Sequence, residues 1–250
     1  MFFVELFKNK LKTQIIGKKI FYYEQTASTN NDIWALFDKN KEDGILVIAN
    51  NQTAGKGRGN NVWHANKGHD IVCSFLLKEK HNYQNIGIYS LLIPVGIING
   101  IKQTTNIPLT IKWPNDLFYK DKKVGGILIE SKKIDRSIYL NIGFGINVNS
   151  SICDFPKEIL NNLNSLKNIY KSEVQREPLL ANILNSIEKL LNNKKNIAKH
   201  WMNSCNHINK KVNIIHKNKP TQAIFKTVNN RGQAIVNYQG KDILINEPFF

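Results

Sequence analysis

Cysteine is scarce in this chain. Cys73, Cys153 and Cys205 are odd in number and far apart, with no Cys-x-x-Cys spacing. That excludes a disulfide framework and a zinc or redox pair of that spacing, and it points to reduced thiols in a cytoplasm. No apolar run is long enough for a bilayer. The longest nearly uncharged stretch, Ile86 to Ile101, contains Pro94 and falls short of the roughly 20 residues a span requires. It reads as a buried helix, bent where the interior proline removes a backbone donor. A secretory leader is missing too, because Glu5 interrupts the apolar start. Arginine is limited to Arg58, Arg136, Arg176 and Arg231, so lysine makes up nearly all of the basic excess.

That excess is large, a formal net charge of +16 over 250 residues. Phosphate contacts use such charge, yet no dense basic tract with interleaved aromatics appears. A solvated basic surface, or one that steers toward an acidic partner, fits better than specific nucleic-acid binding. At 42% hydrophobic the chain can bury a real core.

Strand-like runs lie at Ile45–Ala49, Ile71–Leu77, Gly126–Glu130 and Ile138–Ile142, separated by glycine- and asparagine-rich turns, and read as one mixed sheet. Helical periodicity covers Asn30–Lys39, Ile86–Gln103 and the long stretch Glu177–Met202, giving helices on a face of that sheet. After His207 come four short strand candidates, Lys211–Ile215, Ala223–Val228, Gln233–Tyr238 and Ile243–Ile245. Their connecting turns are Asn218-Lys219-Pro220, Asn229-Asn230-Arg231-Gly232 and Gln239-Gly240-Lys241. The expectation is an α+β chain, with one domain over 1–205 and a small antiparallel β-barrel over 206–250. Edge strands can pair or be covered, so monomer and homodimer both stay open.

The segment Gln52-Thr53-Ala54-Gly55-Lys56-Gly57-Arg58-Gly59-Asn60-Asn61-Val62-Trp63 follows a strand. Glycines permit close backbone approach, so its amides can point at an anion while Lys56 and Arg58 add charge and Trp63 caps a planar base. Alone it reads equally as a mobile surface loop. Lys112-Trp113-Pro114-Asn115-Asp116, Lys122-Lys123-Val124-Gly125-Gly126-Ile127-Leu128-Ile129-Glu130 and Ile142-Gly143-Phe144-Gly145-Ile146-Asn147-Val148 follow. They can set the Asp116 carboxylate beside a lysine amine and let a flat ligand lie on glycine backbone. Each also has a plainer reading, as a packed corner, an Asx turn, solvated hairpin charges or a bulge.

Together and in this order, with Ser28-Thr29-Asn30 ahead of them, these segments resemble the catalytic domain of biotin protein ligases. The likeness covers roughly residues 20 to 150 by motif. It implies the class II synthetase-like fold of that family and a cytoplasmic enzyme with ATP and Mg²⁺ as its cofactors. Such an enzyme forms biotinyl-5′-AMP and passes biotin to a lysine of a biotin carboxyl carrier protein.

By that resemblance Ser28, Thr29, Asn30, Gln52, Gly55, Lys56, Gly57, Arg58, Lys123, Gly126, Gly143 and Gly145 contact biotin. Lys56, Arg58, Trp63, Asn115, Lys123 and Asn147 contact ATP or the adenylate. Lys123, Asp116, Arg58 and Lys56 carry the chemistry, Asp116 by orienting the acceptor lysine. The protein ligands of Mg²⁺ stay unassigned, and the C-terminal barrel is implied to help close the site or hold the acceptor.

The physical logic agrees with these roles. A carboxylate attacking the α-phosphate brings two anions within about 4 Å, a cost on the order of 4 kcal/mol at an effective dielectric of 20. Lysine, arginine and Mg²⁺ offset it.

Lys56 and Gly59-Asn60-Asn61 depart from the family loop, which carries arginines there; the change removes bidentate forks and implies weaker retention of the adenylate. Only residues 1–27 precede Ser28, so no DNA-binding winged helix and no operator binding are expected. The related alternative is a lipoate or octanoate protein ligase.

Overall fold

The computed structural model describes residues 1–79, 86–216 and 219–245. In chain order the elements are α1 (Val4–Lys10), β1 (Lys19–Tyr23), α2 (Thr29–Asn40), β2 (Ile45–Ala49), β3 (Ile71–Glu79), α3 (Ile88–Thr105), β4 (Thr110–Lys112), β5 (Asp116–Tyr119), β6 (Lys122–Ile134), β7 (Ser137–Ile146), α4 (Leu166–Tyr170), α5 (Arg176–Asn192), α6 (Ile197–Ser204), β8 (Lys211–His216), β9 (Lys219–Val228), β10 (Ala234–Tyr238) and β11 (Lys241–Ile245).

Seven strands form one mixed sheet in the order β1-β2-β3-β7-β6-β5-β4, with β1 and β2 parallel and the remaining pairs antiparallel. Strand alternation sends successive side chains to opposite faces. Leu46, Ile48, Cys73, Phe75, Leu140, Ile142, Phe144 and Ile146 point to the face covered by α3 and α5. Ile45, Val47, Leu76 and Tyr139 point the other way, onto Ile33 and Phe37 of α2. Helices therefore lie on both faces rather than one, and α2 covers only the β2–β3–β7 part of the second face. Next to that part the face lies open, which leaves room for a cleft.

α3 runs through Pro94, which is buried within it. Its tight partner is α5. A Cβ on Gly100 would come within 2.4 Å of the Ile183 Cα, and one on Gly96 within 2.6 Å of the Ile187 Cγ1. Gly100→Ala is expected to force the two helix backbones apart at a cost of about 3 kcal/mol, read as a lowered urea midpoint with an unchanged m value. The periodic stretch Glu177–Met202 is two helices, not one. It breaks between Asn193 and Asn196, where Asn196 takes a left-handed φ of 57° that asparagine tolerates and a helix interior does not.

The N-terminal segment is pinned to α5 through its backbone. The Glu188 carboxylate accepts from the amides of Gln14, Ile15 and Ile16, the last at 2.8 Å. Glu177 accepts from Phe3 N at 2.9 Å, and Asn185 accepts from Lys12 N at 2.7 Å. Arg176 donates to Met1 O at 3.0 Å. Among the described residues no helix is long and apolar enough to cross a membrane.

The C-terminal strands form an open four-stranded sheet, β11-β10-β9-β8, not the expected barrel. Asn218, in the first expected turn, lies outside the described residues. The cause of the open form is the cover available to the sheet's inner face. Ile214, Ala223, Phe225, Ala234 and Val236 join the main core, with His207 wedged between Trp201 and Phe225. With one face covered by the rest of the chain, closure on itself is unnecessary.

The connector also docks: Asn206 N donates to Ile111 O at 3.2 Å, and Trp113 Nε1 donates to Gly232 O at 2.9 Å. Burial, helped by the charges of Lys112 and Lys210, lowers the His207 pKa from 6.5 to about 4. The unfolded chain thus binds a proton between these values that the fold refuses. This contribution to stability is fully present above pH 6.5 and is lost as pH falls towards 4. The expected loss is on the order of 2 kcal/mol by pH 4.5, and His207→Phe should flatten it in melts run across that window.

Candidate active site

Two rows of residues cross the open face of the sheet. The first is Val72, Gly145, Gly126, Asp116 and Lys112, successive partners across β3, β7, β6, β5 and β4. The second is Ser74, Gly143 and Leu128 on β3, β7 and β6. Glycines in the middle of both rows remove side chains where the sheet would otherwise be filled, and the result is a cleft of about 1140 Å³. A Cβ on Gly143 would stand 2.0 Å from the Asn30 Oδ1 and one on Gly145 2.2 Å from the Trp63 Cε2, so neither position has room for one.

One end of the cleft is polar and closed. Gln52 Oε1 accepts from Thr29 N at 2.8 Å and from Thr29 Oγ1 at 3.0 Å. Thr29 Oγ1 and Ser74 Oγ lie 2.7 Å apart, and Ser74 Oγ lies 2.8 Å from Asn30 Oδ1. Two hydroxyl protons serve three oxygen–oxygen contacts, so the cluster has acceptor capacity to spare. The Asn30 Nδ2 is buried there without a partner. A buried orphan donor costs about 1–3 kcal/mol, and this one sits in a residue lining the cleft.

The other end is charged. Lys123 Nζ lies 2.7 Å from Asp116 Oδ1, with both side chains about a quarter to a third exposed. β5 and β6 create this pair: their register shifts between Leu117 and Phe118, bringing Asp116 opposite Gly126 while Lys123 stands opposite Phe118. Asn115 holds the turn, donating to Ile127 O at 2.7 Å and accepting from Ile127 N at 3.0 Å. The Trp113–Pro114 peptide is cis.

The loop from Gln52 to Trp63 folds on itself as a narrow ribbon. Gly57 N donates to Asn61 O at 2.8 Å and Trp63 N to Gly55 O at 2.9 Å. This lays the Trp63 indole against Gly145, with Lys123 Nζ 5.8 Å from the ring centre. Trp63 Nε1 is buried without a partner.

Thr29, Asn30, Gln52, Lys56, Gly57, Arg58, Trp63, Asn115, Asp116, Lys123, Gly126, Gly143, Gly145 and Asn147 all line the cleft. Ser28 and Gly55 do not. Ser28 is buried at the extended residue before α2, and Gly55 sits behind the loop, where a Cβ would strike Trp63 O at 2.5 Å. Asn147 is anchored by its Nδ2 to Asn164 O at 3.1 Å, while its Oδ1 is a buried orphan. Sequence reasoning missed Ser74, although a serine in the apolar run Ile71–Leu77 is the kind of residue that marks a site. It also quoted Lys112 without a role, and Lys112 stands opposite Asp116.

Residues 22–147 match the family model described as the biotin/lipoate A/B protein ligase family. The chain belongs to this family. Among biotin/lipoate ligase relatives it is 36% identical over 180 residues to the bifunctional ligase/repressor BirA of Bacillus subtilis, covering 72% of this chain and 55% of that protein. It is 31% identical over 201 residues to the biotin–protein ligase of Homo sapiens, covering 76% and 27%. The chain thus spans about half or less of these relatives. Its fold is similar to that of the Aquifex aeolicus biotin protein ligase in complex with biotin and ATP, with a TM-score of 0.78, 23% identity, and coverage of 93% of this chain and 98% of that one.

Proposed function

We propose that this biotin/lipoate ligase family member is a biotin protein ligase, which forms biotinyl-5′-AMP from biotin and ATP and transfers biotin to a lysine of an acidic carrier domain, releasing AMP. The polar closed end carries the reading. Acceptor oxygens around Ser74 and the orphan Asn30 Nδ2 match a cyclic urea, which offers two N–H donors and one carbonyl acceptor. A dithiolane ring or an alkyl tail offers neither, and burying these groups against one would leave them unpaired. The name of the Homo sapiens relative, which specifies biotin, agrees.

Thr29, Asn30, Gln52 and Ser74 take the head group, and Gly126, Gly143 and Gly145 floor the pocket. Lys123, Lys56 and Arg58 balance the meeting of carboxylate and α-phosphate. Trp63 stacks on the adenine and Asn147 faces the nucleoside. Mg²⁺ would add a further positive charge to that of Lys123, Lys56 and Arg58 where carboxylate and phosphate meet. Asp116 orients the acceptor amine and receives its proton. Residues 1–205 form the ligase unit and 206–250 an appended one, and the enzyme works in the cytoplasm.

The test is pyrophosphate release with ATP and Mg²⁺ plus biotin, lipoate or octanoate in turn, followed by mass spectrometry of an added biotin-carrier domain. Biotin-dependent release with a gain of one biotinyl group is expected. Release with lipoate or octanoate alone would move the assignment to the alternative ligase.

A further inference from the structure

α3, α5 and α6 frame another cavity, of about 490 Å³, which shares no lining residue with the cleft. Among the described residues its ionisable lining is wholly basic: Lys102, Lys189, Lys195 and His200. All four side chains are exposed, and none makes a hydrogen bond, ion pair or ring contact with a described residue. Lys102 and Lys189 stand in the last turns of α3 and α5, whose C-caps Asn106 and Asn193 also line the cavity. A helix C-terminus carries about half a negative charge, so the two ends offset one lysine and leave an excess of about two positive charges. The cavity is therefore more cationic than its helix ends require. Ser186 of α5 supplies an independent sign. It is only 7% exposed, its hydroxyl makes no hydrogen bond among the described residues, and it lines this cavity. A nearly buried hydroxyl without a protein partner is left to whatever occupies the space beside it.

We propose that this cavity is a binding site, separate from the cleft, for a small soluble anion bearing more than one phosphate group. Lysines act on phosphate as point charges, and no arginine is present among the described lining residues to grip a planar carboxylate by its fork. The volume falls within the range of about 300–1,000 Å³ typical of small-molecule sites, well above what a single phosphate fills. Asn99 and Gln103, one turn apart on α3, offer carboxamides to the remaining polar atoms. Lys102 comes from α3, Ser186 and Lys189 from α5, and Lys195 and His200 from the connector and α6, so a bound polyphosphate spans the break between α5 and α6. Binding then stiffens that break. The proposal is independent of the ligase reading, because α3 and α5 cover the sheet face opposite the cleft.

The full chain is titrated with inorganic tripolyphosphate at physiological salt, and amide hydrogen exchange is followed by peptide. Protection should rise over 99–106 and 186–200, and the affinity is read from those segments, so that any binding in the cleft does not enter. That affinity should fall at least tenfold in Lys189→Glu/Lys195→Glu and at least threefold in Ser186→Ala. It should stay within twofold in Lys123→Ala, and in Lys39→Glu/Lys226→Glu, which makes the same change of net charge at exposed lysines elsewhere. If the charge reversal lowers Tm without the probe, Lys189→Gln/Lys195→Gln takes its place, with a loss of at least fivefold. A peptide of six glutamates should bind at least tenfold more weakly than tripolyphosphate. Absence of protection in these segments, protection that survives either double change at Lys189 and Lys195, or an unchanged affinity in Ser186→Ala overturns the proposal. So does an equal loss in Lys39→Glu/Lys226→Glu, or equal protection by the glutamate peptide, either of which would mean a diffuse basic surface.

Discussion

Lys123→Ala is expected to slow biotin-dependent pyrophosphate release about a thousandfold while leaving the melting temperature nearly unchanged. Removing one fixed donor from a site of developing negative charge costs roughly 10²–10³ in rate. Here the loss is compounded. Asp116, 2.7 Å away, is left without its counter-charge and faces the cleft as a further anion beside carboxylate and phosphate. The companion experiment follows from that geometry. The double variant Lys123→Ala/Asp116→Asn removes the extra repulsion and should recover roughly tenfold in this half-reaction, a non-additivity expected of contacting groups. A loss of less than tenfold in the single variant, with the fold intact, would sink the role given to Lys123.

The second large effect is on stability. Glu188→Ala removes the acceptor for three consecutive amides, Gln14, Ile15 and Ile16, between the flanking bonds of Lys12 N to Asn185 and Gly17 N to Gly44 O. Each donor left without a partner costs about 1–3 kcal/mol, less wherever water can reach it. A net loss of about 4 kcal/mol is expected, equivalent to a fall of about 10 °C in Tm for a chain of this size. Glu188→Gln keeps one carbonyl oxygen and should lose about half as much. Hydrogen exchange localises the effect: amides 14–16 should lose protection first, before those of β3 and β7. A Tm shift below about 2 °C for the alanine variant would mean that the N-terminal segment is held by its apolar contacts instead.

The strands β2 and β3 were legible because most of both faces is filled, so Ile45–Ala49 is wholly apolar and Ile71–Leu77 is interrupted only by Ser74. Lys123, Asp116 and the glycines of β6 and β7 were legible because they sit in short motifs. Their alignment was not. The row from Val72 to Lys112 is set by strand register between segments far apart in the chain, and no local pattern encodes register. Ser74 was hidden for the same reason, since its partners Thr29 and Asn30 lie 45 and 44 residues away. The break between α5 and α6 was missed because apolar spacing resumes in phase at Ile197 and Trp201, so periodicity runs straight across Asn193–Asn196. The barrel expectation failed on context. Turn chemistry gives strands and hairpins, but whether a sheet closes depends on what covers it, and here α6 and the core do.

The pinning of residues 1–16 by α5 has a bearing on biosynthesis. Phe3, Lys12 and Ile16 find their acceptors 172–174 residues downstream. A nascent chain therefore carries this segment, with Phe2 and Phe7 short of their final packing, until α5 has left the ribosome. Contacts of such long separation form slowly, and a waiting apolar segment is open to aggregation and to chaperones. In a ribosome-arrest series, protection of this segment from protease should appear only once residues beyond Glu188 have cleared the exit tunnel.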